Sequence, residues 1–87
     1  MPQIMVAAID EYHFQVTVID NSNTTHKVSV APDYALKLTD GKITNAQLVE
    51  KSFEFLLERE ANTSILSSFD LSVIARYFPE YELVIAC

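Results

Sequence analysis

The chain has one glycine, Gly41, and one cysteine, Cys87, in eighty-seven residues. A lone glycine cannot build a glycine-rich phosphate cradle, so nucleotide binding by any familiar loop is excluded. The same scarcity leaves almost no flexible or low-complexity material, and an ordered chain is expected. A lone cysteine allows neither an intramolecular disulfide nor a CxxC redox motif.

Basic residues are also scarce. Six Lys and Arg stand against twelve Asp and Glu, giving a formal charge of −6 and a pI near 4.6. The imbalance is spread evenly, with two basic and five acidic residues in 1–40 and four and seven in 41–87. Phosphate backbones require clustered Lys and Arg for counterion release, so nucleic acid is not an expected partner. No segment approaches the ~20 apolar residues of a membrane span, so no membrane partner is expected. The opening MPQIMVAAIDE lacks the positive region and long apolar run of a signal peptide. A cytoplasmic location is the expectation, under which the sequons at Asn23 and Asn62 are chance matches.

Apolar residues are plentiful: 49% of the chain, including five Phe and four Tyr. Residues 1–87 therefore read as a single domain with its own core. So small a core is marginal, and a second subunit burying more apolar surface would stabilise it.

Residues 4–9 are apolar on both sides and suit a buried strand or an N-terminal arm. From His13 to Asp20 the pattern alternates, with Phe14, Val16 and Val18 on one face. A polar turn at residues 20–23 and a second alternating run, His26, Val28 and Val30, complete a β-hairpin. Matching the apolar faces favours Val18 opposite His26 and Val16 opposite Val28, because a one-residue slip turns one face to solvent. Pro32 ends that strand and opens a short helix over 33–38, with Tyr34 and Leu38 inward and Gly41 as its left-handed cap.

The longest helical signal is TNAQLVEKSFEFLLERE, residues 44–60. Thr44 and Gln47 have capping-box spacing. Val49, Phe53, Leu56 and Leu57 form an apolar ridge that Leu48 and Phe55 broaden to about half the circumference. An arc this wide exceeds one sheet face, so either the short helices or another subunit must cover the remainder. Asp70 suits the N-cap of a second helix over 71–77, Pro79 stops it, and the apolar run 83–87 reads as a buried strand. The fold class is therefore α+β: a small antiparallel sheet built on a β-hairpin, with a central helix and one or two short helices on one face.

The segments SFEFLLERE (52–60), SILSSFDL (64–71) and YFPEYE (77–82) resemble an uncharacterised family of small bacterial proteins. The shared residues are mostly packing residues. The resemblance implies a small cytoplasmic bacterial protein and carries no activity, cofactor or catalytic residue.

No catalytic constellation emerges from the residues themselves. His13 and His26 fall on opposite faces of the hairpin and lack HxH or HxxxH spacing, so no metal is expected. Nothing basic neighbours Cys87 to activate it as a nucleophile. Glu50, Glu54 and Glu58 have few apolar neighbours and form a solvated helix face. Glu60 lies near the apolar ridge and can pair with Arg59 or Arg76. The helix pair between 45 and 77 lacks both the basic recognition residues and the short turn of a helix-turn-helix. No cofactor is implied.

Three functions are compatible with this pattern. The foremost is a non-enzymatic protein-interaction module that self-associates, a dimer first, with Leu48, Ser52 and Phe55 as the exposed interface. The second is a small-ligand binder or enzyme whose site forms between subunits, lined by Tyr12, His13, His26, Tyr34 and Tyr77. The third is an acidic regulator of a basic protein, working through Glu50, Glu54 and Glu58.

Overall fold

The structure, a computed structural model, describes residues 2–86. Its order is β1 (Gln3–Asp10), β2 (His13–Ile19), β3 (Asn23–Ser29), α1 (Pro32–Thr39), α2 (Asn45–Leu57), a 3-10 turn (Asn62–Ser64), β4 (Ser68–Asp70), α3 (Val73–Tyr77) and α4 (Tyr81–Ile85). The strands form one sheet in the order β1-β2-β3-β4. The fold is α+β. The sheet is mixed rather than wholly antiparallel, because β4 adds parallel to β3, with Val28 opposite Phe69.

The alternating hairpin forms as its pattern dictates. Phe14, Val16, Val18, Val28 and Val30 are all buried. Its register differs by two residues from the expected one: Val16 opposes His26, Val18 opposes Thr24, and the loop shrinks to residues 20–22. A two-residue shift keeps every side chain on its face, so the facial pattern cannot distinguish the two registers. Residues 4–9 lie within a full strand, β1, paired antiparallel to β2.

The capping box at α2 is present in both directions. Thr44 Oγ1 accepts from the Gln47 amide at 3.1 Å, and Gln47 Oε1 accepts from the Thr44 amide at 2.8 Å. At the end of α1 the capping residue is Asp40, at φ 51°, and Gly41 follows at φ 72°. Two consecutive left-handed residues make the turn, and an aspartate tolerates the first of them. Ala35, Leu38 and Thr39 are the buried side of α1, while Tyr34 is only half-buried.

The C-terminal region departs furthest from expectation. Where a strand was expected from 83 onward, residues 83–85 are instead the end of α4, and Leu83 and Val84 point largely to solvent at 85% and 58% exposure. Cys87 lies outside the described residues. The apolar run proved ambiguous because its length suits a strand or a helical turn equally. Tyr81 decides between them: fully buried against α2, it anchors a helix that leaves Leu83 and Val84 outside. Phe78, before Pro79, does leave the helical region at φ −130° and ψ 90°.

Both sides of α2 are covered within the chain. Phe53 meets His26 and Phe69 on the sheet side, and Phe55 meets Phe78 and Tyr81 on the other. Of the two ways to cover its wide apolar arc, the chain uses its own short helices.

Candidate functional site

A four-stranded open sheet has two edges, and here they are built differently. β4 is three residues long and leads directly into α3. β1 is eight residues long, and in the described sheet order no strand lies beyond it. Its inner face carries Ile4, Val6 and Ala8, opposite Val18, Val16 and Phe14. Its outer face carries Met5 and Ala7, opposite Thr17 and Gln15. Ile4 and Val6 pack partly against the core, while Met5 and Ile9 are half exposed.

Edge strands are usually blunted by shortness, proline, charge or a bulge, because their unpaired N–H and C=O groups accept any passing strand. From Gln3 to Ile9 the strand contains no proline and no charged side chain. Among the described residues, the blunting is confined to the strand's end: the charged Asp10 and a bulge between Ala8 and Asp10.

Asp10 closes that end as a small polar clasp. Its carboxylate accepts from the Tyr12 amide at 2.9 Å and from His13 Nδ1 at 2.8 Å. The His13 hydrogen bond holds the Asp10 carboxyl below its ordinary range. Tyr12 is thereby held in the turn and His13 at the start of β2, and both are exposed.

The other predicted lining residues are scattered. His26 is buried at 2% exposure, with both ring nitrogens occupied. Nδ1 lies 2.7 Å from the Leu66 carbonyl, which can only accept, so Nδ1 carries the proton and donates. Nε2 then accepts from the Thr24 hydroxyl at 2.9 Å. His26 is thus a pin joining β3 to the segment after the 3-10 turn. Tyr34 donates to Glu82 at 2.8 Å, and burial, followed by that hydrogen bond, pushes its phenol well above the ordinary value. Tyr77 is 67% exposed.

No two of Tyr12, His13, His26, Tyr34 and Tyr77 share a groove among the three described. The first, about 330 Å³, lies between the end of α2, residues 64–66 and α3, with Tyr77 and Glu60 in its lining. The second, about 560 Å³, lies against the sheet beside His13, Lys27 and Asp70. The third, about 160 Å³, holds Lys51, Glu54 and Glu58 beside α4. Among the described residues no group of three His, Cys, Asp or Glu side chains is placed to hold a metal ion. No helix of the described residues is long and apolar enough to cross a membrane.

The expected interface on α2 is corrected by the structure. Leu48, Ser52 and Phe55 are buried within the chain, and Tyr81 of α4 lies against both Phe55 and Ser52. Ser52 donates to the Leu48 carbonyl at 2.7 Å, which leaves its oxygen to accept from the Tyr81 hydroxyl at 2.6 Å. Burial pushes the Tyr81 phenol up to about 12. A small hydroxyl amid apolar neighbours on a helix was the only sequence trace of this contact.

Sequence reading missed the anchor at Asn62 and expected Asp70 as a helix N-cap. Instead α3 starts at Val73 with Ser72 in the N-cap position, and Asp70 holds Ser72 from two residues before it. Asn62 is buried and donates to the Ser22 carbonyl at 2.7 Å, tying the 3-10 turn to the hairpin loop. Asp70 accepts from Ser29 at 2.8 Å and from the Ser72 amide and hydroxyl, which secures β4 to β3 and turns the chain into α3. Burial pushes the Asp70 carboxyl up, but these hydrogen bonds outweigh it and hold it below the ordinary range. Arg59 pairs with Glu58 and Glu80 and stacks on Phe55, 3.6 Å from the ring centre, so Glu60 is not its partner.

Among known proteins, no family model, curated protein or solved structure matches this chain.

Proposed function

We propose that the chain is a non-enzymatic protein-interaction module that self-associates. One observation carries this reading: the edge of β1, uncharged from Gln3 to Ile9 and with no strand beyond it in the described sheet. Strand addition at such an edge supplies backbone hydrogen bonds for affinity and alternate side chains for specificity. The scattering of the polar aromatic residues adds support, since catalysis requires groups converging on one reacting atom.

The acidic-regulator reading fits the surface less well. Glu50, Glu54 and Glu58 are exposed along α2, but Lys51 and Arg59 interrupt them. With a net charge of −6 on each copy, association is opposed by repulsion that salt screens. Sedimentation velocity from low micromolar to millimolar concentration tests the reading. The expected result is a species heavier than the monomer whose share grows with concentration and with salt. A monomer throughout that range overturns it.

A further inference from the structure

The edge of β1 fits one partner in particular. We infer that β1 pairs antiparallel with β1 of a second copy, about a two-fold axis at Val6, joining two sheets into one of eight strands. The inference rests on the self-association proposed above and names its surface and register.

Three observations lead there. The first is charge. Two copies of this acidic chain must meet where no carboxylates face one another, and residues 3–9 carry no charged side chain. The second is facial matching. Antiparallel neighbours related by a two-fold axis keep inner residues beside inner residues only if paired numbers share parity, as an odd offset would set one copy's core face beside the other's solvent face. The axis must therefore pass through a residue rather than between two.

The third observation is size, and it selects the residue. With the axis at Val6, Ile4 lies opposite Ala8 and Met5 opposite Ala7, a large side chain against a small one on each face. Gln3 then pairs with Ile9, and Asp10 falls beyond the paired segment. An axis at Ala7 instead places Ile4 against Asp10. An axis at Met5 leaves Ala8 and Ile9 without partners. At Val6 the pairing uses the strand's whole uncharged length. It also gives the half-buried Ile4 and Val6 further cover on the face where α2 already packs.

Disulfide trapping on the solvent face tests the register without disturbing the core. Met5→Cys and Ala7→Cys are made separately in a Cys87→Ser background. In the proposed pairing these positions oppose one another, within the Cα separation a disulfide spans. Mild oxidation of the mixed variants is expected to give a disulfide dimer joining one chain of each kind, with little dimer from either alone. Dimers of Ala7→Cys alone mean an axis at Ala7 and overturn the register; dimers of Met5→Cys alone do the same for Met5. A chain that sediments as a dimer but gives none of these bonds, or that stays dimeric as Met5→Lys/Ala7→Lys, associates through another surface. That outcome overturns the inference and leaves self-association standing. A wild-type chain that is monomeric at all concentrations removes both.

Discussion

The two flanks of this sheet solve the same problem in opposite ways. On one side β4 is short, pinned by Asp70 to Ser29 and Ser72, and followed at once by the helices that cover α2. On the other, β1 is long, apolar and held by β2 with partial packing on α2. The closed flank is rich in specific polar anchors: His26 to Leu66, Asn62 to Ser22, Ser52 to Tyr81. The open flank has one clasp, Asp10, and it lies at the strand's end. Polar anchoring marks where the chain has finished packing on itself. Among the described hydrogen bonds, no side chain of residues 3–9 makes such an anchor.

That contrast can be broken most forcefully at Tyr81. Truncating a buried aromatic leaves a cavity as well as losing transfer energy, so Tyr81→Ala should cost about 3–5 kcal/mol in urea denaturation. Tyr81→Phe loses only the hydroxyl bond to Ser52 and should cost about 1 kcal/mol.

The same hydroxyl gives an alkaline signature. Its proton is held more tightly in the folded state, from an ordinary value of 10.0 up to about 12. The stability this contributes is fully present below pH 10 and is lost as pH rises through about 12. Denaturation midpoints measured from neutral to strongly alkaline pH should fall less steeply for Tyr81→Phe than for the wild type. Equal slopes would mean the ring does not hold its proton through burial.

A smaller effect is expected at Asp70. Removing a carboxylate that caps a turn should cost about 1 kcal/mol, so Asp70→Ala should lower the urea midpoint modestly. The Asp70 carboxyl is held below its ordinary 3.8, so its contribution is present above that value and is lost as pH falls through the lower folded value. Asp70→Asn should flatten the acid limb of the stability curve. The smallest effect sharpens the contrast from the open side. Met5→Lys should leave the monomer's stability within about 0.5 kcal/mol of wild type, because nothing buried changes.

How much of this was readable beforehand depended on how far each signal reached along the chain. The hairpin's core face and the α2 capping box rest on patterns within a few residues, and both were legible. The hairpin register was not, since shifts of two preserve the alternation that was being read. β4 is three residues long and acquires its identity from Lys27, Val28 and Ser29, some forty positions earlier. α4 was hidden because an apolar run of five carries no period of its own. The buried roles of Ser52 and Phe55 were hidden with it, because Tyr81 of α4 is the side chain that contacts both. Of the candidate site, the open edge was foreseen only in general terms, as something a small sheet must leave. Its place on β1 required knowing that residues 3–10 pair with β2 and that β4 takes the opposite edge.

The parallel pairing of β4 also sets an order of assembly. β1, β2 and β3 meet through short loops, whereas β4 joins only after the intervening helices bring residue 68 back to residue 27. Loop closure of that length is entropically unfavourable until other contacts offset it, and non-local pairing slows folding. Before β4 docks, β3 is an edge along its whole length; afterwards β4 pairs with Lys27, Val28 and Ser29. When β4 docks beside β3, His26 on β3 bonds the Leu66 carbonyl two residues before β4, so one buried side chain locks the long-range closure in place.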